Sequence, residues 1–187
     1  MRTVISVLVA IAVCFAAGCT GTSTAAPPPS QSASAAPSPK ALPPGTTSLD
    51  CSDPIGGVSS LTAPYRSTLD VVGLDSSSTL QATSTGGTDP HSLFAKTGLL
   101  VHAGRESTLT IPASWASQVS IAWGNHAAEW TTSLHIPACP EAPAGSGQWL
   151  AFPGGLSLDK AACVPLEVSA GGETTTVYLS VGVRCGS

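Results

Sequence analysis

Cys19 is the residue in this chain whose setting points most directly to a chemical modification. It closes the run 16–19, in which Ala, Ala and Gly precede it, at the end of an apolar stretch that starts behind Arg2. A short positive end, an apolar centre and small residues at a cleavage site form an export signal. The cysteine directly after the small residues predicts a lipoprotein signal over 1–18. The Cys19 thiol would then receive a diacylglycerol and become the first residue after cleavage.

Other interpretations of this segment stay open. Cleavage near Ala17 would give a soluble secreted protein, and Cys14 fits lipidation less well because Val13 precedes it. The apolar stretch is shorter than the roughly 20 residues that a membrane-spanning helix needs. Two acyl chains hold a protein stably where one gives only marginal binding. We therefore expect the membrane to be a partner through the lipid anchor, with the protein on the extracytoplasmic side of the cell membrane.

Side chains for hydrolysis are present without a motif that would order them. No G-x-S-x-G nucleophile motif occurs, although serine, histidine and aspartate are all available. A Ser/His/Asp site assembled by folding, and with it an exported hydrolase, therefore stays open as an alternative. No catalytic residue is assigned.

Metal binding is a second alternative. The candidate ligands are His102, His126 and His135; a fourth histidine, His91, completes the set. No H-E-x-x-H motif occurs, and His126 and His135 are expected to be solvated surface residues. The sequence indicates no cofactor.

Aromatic side chains offer a third kind of site, a sugar-stacking platform. Trp123 alternates in phase with Val119 and Ile121, so it is expected in the core. Trp115 and Trp130 lie near predicted turns and are the candidate ligand-binding residues.

The charge of the chain argues against one class of partner. Charged residues make up 10% of it, the formal net charge is −4, and no cluster of Lys or Arg occurs. Nucleic-acid binding depends on such clusters. We expect no nucleic-acid partner.

The remaining cysteines predict two disulfides, because an even number outside the cytoplasm favours pairing. They are Cys51, Cys139, Cys163 and Cys185. Of the three possible pairings we expect Cys51–Cys185, joining the ends of the domain, and Cys139–Cys163, closing a loop rich in Pro and Gly. A zinc site is the weaker alternative, since no C-x2–4-C spacing occurs.

The elements that would position these residues fall into three segments. After the signal, residues 19–48 form the lipidated cysteine and a tether rich in Pro, Ser and Ala, which is expected to be disordered. Residues 49–187 carry short apolar/polar alternations, as in 119–123 and 177–183, which predict β-strands. Gly and Pro are expected to separate the strands, for example at Pro153, Gly154 and Gly155. Short helical turns are expected near 89–94 and 113–117. The pattern predicts an all-β fold, a single antiparallel β-sandwich that is immunoglobulin-like in architecture.

Several stretches of residues 93–185 resemble an uncharacterised family of small secreted proteins and lipoproteins of actinobacteria. They read LFAKTGLLV, WG, IPACP, WLAFPGG, CVPLEV and VGVRC, in that order. The resemblance implies an exported domain and assigns no catalytic or binding residue. The anchor, the tether and the missing catalytic motif favour a non-enzymatic binding or accessory domain at the cell surface, whose partner is expected to be a cell-wall or surface protein component.

Overall fold

The computed structural model describes residues 42–52, 54–125, 128–141 and 147–186. The predicted signal, Cys19 and most of the predicted tether lie outside these ranges. Within them the chain forms strands and turns without an α-helix, so the prediction of an all-β fold is confirmed. No described segment is a helix with the length and apolar character to cross a membrane. The strands are β1 (Thr46–Ser48), β2 (Gly56–Val58), β3 (Tyr65–Thr68), β4 (Val72–Asp75), β5 (Thr79–Leu80), β6 (Ala82–Ser84), β7 (Leu93–Lys96), β8 (Leu99–His102), β9 (Ser107–Thr110), β10 (Val119–Trp123), β11 (Ser133–Ile136), β12 (Trp149–Phe152), β13 (Gly154–Leu158), β14 (Ala162–Ala170) and β15 (Glu173–Val181).

The strands form three sheets around one core. Their orders are β1-β11-β9-β14-β15-β5, β10-β13-β7-β6 and β2-β12-β8-β4-β3. Neighbours are antiparallel except β1 beside β11 and β5 beside β15, which run parallel. Fully buried side chains from all three sheets, such as Leu166, Ile121 and Val101, belong to a single apolar cluster. The arrangement is sandwich-like, as predicted.

Period-two alternation places the core side chains where the sequence pattern predicts them. In β14, Val164, Leu166 and Val168 are fully buried, whereas the residues between them are only half-buried. The alternation continues in β15 through Val181, but Val183 is 43% exposed because the strand has already ended. A positive φ of 67° at Gly182 turns the chain there.

One strand lies where the sequence favoured a turn. Gly154 and Gly155 were expected to separate strands, but they begin β13, which pairs with both β10 and β7. A Cβ atom at position 155 would lie 2.1 Å from the carbonyl oxygen of Ala95. Glycine in a strand permits such a close backbone approach, and this is why the GG pair does not mark a turn here.

The predicted helical turns have different outcomes. Residues 113–118 form hydrogen-bonded turns, with the Trp115 amide donating to the Pro112 carbonyl at 2.8 Å. The prediction near 89–94 is wrong, because Leu93 and Phe94 belong to β7.

The cysteine pairing differs from the expected one: the bonds are Cys51–Cys139 and Cys163–Cys185. The parallel pairing of β1 with β11 explains the first. Ser48 lies opposite His135, so the segments that follow β1 and β11 leave the sheet side by side. Cys51 and Cys139 therefore come together a few residues later.

The second disulfide follows from the long β14–β15 hairpin. Cys163 lies opposite Ser180 in this hairpin, and the turn at Gly182 brings the chain back toward it. The amide of Cys185 donates to the Ser180 hydroxyl at 3.0 Å, which fixes the returning chain beside Cys163. Both expected pairs are therefore wrong, because they ignored which strand ends lie side by side.

Candidate functional sites

Three polar side chains, which we call the Ser120 triad, meet at one end of the β10-β13-β7-β6 sheet. Ser120 lies on β10, Asp159 directly follows β13, and His91 lies two residues before β7. The Ser120 Oγ is 3.2 Å from the His91 Nε2, and the His91 Nδ1 is 2.9 Å from an Asp159 carboxylate oxygen. An imidazole that donates from Nδ1 to a carboxylate has a bare Nε2, which accepts the serine hydroxyl proton. This is the hydrogen-bond order of a catalytic triad.

The strand register explains why these residues meet. Ser120 pairs with Ser157 across β10 and β13, and Leu158 pairs with Leu93 across β13 and β7. The chain just before β7 therefore lies beside the end of β13. Because side chains alternate along a strand, Ser120 faces away from the core, opposite to the buried Val119 and Ile121.

Further hydrogen bonds hold the histidine and the aspartate in place. The backbone amide of His91 donates to the Ser157 hydroxyl at 3.1 Å, and Ser157 is fully buried. The Ser92 hydroxyl donates to the Asp159 carbonyl at 2.8 Å. The His91 side chain is 11% exposed and the Asp159 side chain is 51% exposed. The carboxylate of the triad therefore lies at the protein surface, whereas its imidazole is largely shielded from solvent.

The backbone of Ser120 is engaged in the sheet. The Asp159 amide donates to the Gln118 carbonyl at 3.1 Å, so these two residues form a hydrogen-bonded pair of the β10–β13 ladder. In an antiparallel ladder, hydrogen-bonded and non-hydrogen-bonded pairs alternate. The next hydrogen-bonded pair is therefore Ser120 with Ser157. The Ser120 amide therefore points into the sheet and is not an oxyanion donor.

A second candidate site is a cleft of about 590 Å³ that lies among turns. We call it the turn-end cleft. Its lining comes from the β3–β4 turn, the segment before and in β9, and the β14–β15 turn: Leu69, Val71, Gly104, Arg105, Glu106, Ser107, Thr108, Ser169, Ala170, Gly171 and Gly172. Apolar and charged side chains thus share one concave surface.

Two features mark the turn-end cleft. Ser107 is 3% exposed, and its hydroxyl is a buried polar group with no hydrogen-bond partner among the described residues. Leu69 and Asp70 have φ angles of 50° and 55°, in the left-handed region that residues with a side chain rarely adopt. Native proteins keep few unpartnered buried polar groups and few strained turns, and both concentrate at functional sites.

Charged side chains flank this cleft. Arg105 and Asp70 approach to 3.7 Å, with side chains 54% and 66% exposed. Such an exposed pair contributes little to stability, about 0–1 kcal/mol. Breaking the contact between Arg105 and Asp70 so that either side chain can bind a ligand therefore costs little free energy.

Another cleft, of about 380 Å³, borders β1. Thr47, Asp50, Glu129 and Leu134 are among its lining residues, and the buried Thr47 hydroxyl has no hydrogen-bond partner within the described ranges. Neither cleft is lined by a member of the Ser120 triad.

The three metal-ligand candidates do not converge where they can be placed. The His102 Nδ1 donates to the Ala103 carbonyl at 3.0 Å, whereas the His135 Nδ1 lies 4.0 Å from Glu106. His126 lies outside the described residues. Within the described part of the chain, no three His, Cys, Asp or Glu side chains are placed to hold a metal ion.

The tryptophans fill different positions. Trp123 is buried, as predicted, and its indole N–H donates to the Thr97 carbonyl at 3.0 Å. Trp115 is only partly buried and packs against the core, and Trp130 meets the Phe94 ring edge-on at 6.0 Å. Neither candidate lines the two clefts.

The residues that the structure adds as candidates are His91, Ser120, Asp159 and Ser107. Ser107 had a detectable signal, because its spacing of two from Leu109 places it on the buried face of the predicted strand. The triad had none, since its members are separated by dozens of residues and belong to no motif. No protein-family model matches this chain, and no curated protein matches it significantly.

Proposed function

We propose that this protein is a lipid-anchored binding domain of the extracytoplasmic cell surface and that the turn-end cleft is its ligand site. The position of Cys19 behind the export signal supports the anchor. The disulfides support an oxidising compartment. The Pro-, Ser- and Ala-rich tether supports a domain held away from the membrane.

The observation that carries the ligand site is Ser107, which lines the turn-end cleft and whose buried hydroxyl has no hydrogen-bond partner among the described residues. Burying such a group costs roughly 1–3 kcal/mol when nothing pairs with it. A ligand that hydrogen-bonds to Ser107 recovers that cost. The strained pair Leu69 and Asp70 beside it is a second sign that the local backbone serves something other than stability.

The lining indicates the chemistry of the ligand. Leu69, Val71 and Ala170 are apolar lining residues, and Arg105 and Glu106 supply opposite charges. A short peptide segment with a small apolar side chain and free charged groups complements this surface. The peptide portion of the cell wall is a ligand of that class.

The test uses the chain from residue 20, which lacks the signal and Cys19, and isolated peptidoglycan as the probe. We expect retention of the protein, and a decrease of about fivefold in Ser107→Ala, the effect of about one hydrogen bond. Ser133→Ala is the matched control, since Ser133 is a half-buried strand serine whose hydroxyl has its own partner in another part of the six-stranded sheet. No retention, or equal retention of the three proteins, would contradict the proposal.

The anchor is tested separately in the full chain. We expect Cys19→Ser to leave the membrane fraction or to stay unprocessed, because the thiol that carries the lipid is absent. Fractionation and intact mass measure this. Unchanged membrane association together with an unchanged mature mass would refute lipidation at Cys19 and leave the cleft unaffected.

A further inference from the structure

We propose that Ser120 is a nucleophile that removes acyl groups from esters, with His91 as its general base and Asp159 as the residue that positions and stabilises the imidazole. The inference rests on the geometry of the Ser120 triad and is independent of the turn-end cleft. Both contacts along the triad are within hydrogen-bonding distance, at 3.2 Å and 2.9 Å. They join the correct atoms: the hydroxyl to Nε2 and the carboxylate to Nδ1.

A purely structural role explains fewer of these features. Tying the end of β13 to β7 requires only the Ser92 and Ser157 hydrogen bonds, which already join these segments. The imidazole adds a bond to Ser120 on the outer face of the sheet, where Ser120 is half-buried. A general base must lie within hydrogen-bond reach of the proton that it removes, and His91 meets this condition.

The reaction conserves atoms and charge as follows. Ser120 Oγ attacks the ester carbonyl carbon while its proton passes to His91 Nε2, and Asp159 stabilises the resulting imidazolium. The ester C–O bond then breaks, and the departing alcohol takes the proton from Nε2, leaving an acyl group on Ser120. A water molecule, deprotonated by His91, attacks this acyl group, and the products are a carboxylic acid and the regenerated serine.

The surroundings of Ser120 favour a short ester as the test substrate. Ser120, Ser157 and Phe94 lie opposite one another on adjacent strands and so share one face of the sheet. Ser157, between the other two, is fully buried, and the His91 amide donates to its hydroxyl at 3.1 Å. The segment that carries His91 therefore covers the sheet directly beside Ser120. A butyrate ester needs no contact beyond this covered strand.

The engaged Ser120 amide limits the rate that we expect. Serine hydrolases usually use backbone N–H groups to stabilise the oxyanion, and the loss of one donor costs about 10²–10³ in rate. The site should therefore act slowly on ordinary esters and react measurably with activated ones. A fluorophosphonate, which labels a nucleophilic serine without requiring turnover, is the appropriate probe.

The experiment incubates the full chain in detergent with a fluorophosphonate and, in parallel, with p-nitrophenyl butyrate. We expect the label on the peptide that contains Ser120, found by mass spectrometry, and no label at that position in Ser120→Ala. His91→Gln should slow labelling by 10²-fold or more, the usual contribution of a general base. Asp159→Asn should slow it less than His91→Gln does, because Asp159 does not touch the reacting atoms.

Ser133→Ala is again the control, and its labelling and ester hydrolysis should equal those of the unaltered protein. Thermal unfolding of each variant checks that it folds. If Ser120→Ala does not fold, peptide mapping of the unaltered protein still decides. An unlabelled protein, or a label confined to a serine other than Ser120, would overturn the proposal without affecting retention on peptidoglycan.

Discussion

Ser107 and Ser120 are both strand serines, yet the structure places their hydroxyls in opposite settings. The Ser107 hydroxyl is on the inward face of β9 and has no hydrogen-bond partner in the described part of the chain, whereas the Ser120 hydroxyl is on the outward face of β10 and has an imidazole partner. A buried hydroxyl without a partner reduces the stability of the free protein. A hydroxyl that is hydrogen-bonded to a base is instead positioned to give up its proton to that base. The two side chains therefore support a binding site and a reactive site by different physical arguments.

Ser107→Ala should stabilise the protein in the absence of ligand. The substitution removes a polar group that is buried and unsatisfied, so the free energy of unfolding should stay equal or rise by up to about 1–3 kcal/mol. Chemical denaturation of the chain from residue 20 measures the change.

Ser180→Ala provides the comparison for this prediction. Ser180 is also a buried strand serine, 7% exposed, but its hydroxyl accepts the amide of Cys185 at 3.0 Å. Its removal should lower the free energy of unfolding by about 1 kcal/mol or more. An equal loss of stability in both variants would show that the Ser107 hydroxyl has a partner in solution.

Strand patterns are predictable from this sequence to the extent that side-chain burial dictates them. Val119 and Ile121 are buried as their spacing predicts, because one face of each strand must meet the core. Gly154 and Gly155 look like a turn in the sequence but begin a strand. Burial does not explain this, because the need for glycine comes from the backbone of Ala95, which is distant in the sequence. The meeting of His91 with Ser120 depends on the same long-range register. Neither local composition nor spacing encodes it.

The first strand shows how an element can be hidden in a segment that looks disordered. β1 lies within the predicted tether, before the expected domain start at Leu49. Its three residues pair in parallel with β11, and the Thr131 hydroxyl donates to the Gly45 carbonyl at 3.1 Å. Small polar residues form this edge strand because its partner supplies the hydrogen bonds. A composition-based boundary therefore falls several residues too late to include it.

Deleting residues 42–48 should destabilise the domain. A protein that starts at Leu49 loses the pairing of β1 with β11 and leaves backbone groups of β11 without partners. At about 1 kcal/mol for each lost hydrogen bond, we expect the free energy of unfolding to fall by about 2–4 kcal/mol. Thermal or urea unfolding measures this against a protein that starts at Leu42. Equal stability of the two proteins would mean that β1 contributes nothing to the fold.

At the scale of the whole molecule, the two disulfides of the described residues close loops of very different length. The Cys51–Cys139 bond spans 88 residues and ties the beginning of the folded chain to the end of β11. The Cys163–Cys185 bond spans 22 residues and closes the last hairpin. Only the first encloses most of the described residues, including the segments that carry His91, Ser120 and Ser107. The longer link should therefore contribute more to stability.

Replacing each disulfide by a pair of alanines measures these contributions and tests the pairing. The chain-entropy relation assigns about 4.6 kcal/mol to the 88-residue loop and about 3.4 kcal/mol to the 22-residue loop. We therefore expect Cys51→Ala with Cys139→Ala to destabilise by about 1 kcal/mol more than Cys163→Ala with Cys185→Ala. The burial of Cys139 adds to this difference, because alanine fills less of the core. Thiol titration of each unfolded double variant, made in the chain from residue 20, completes the test. With the pairing found here, neither variant contains a free thiol, whereas the pairing Cys51–Cys185 and Cys139–Cys163 would leave two unpaired cysteines in each.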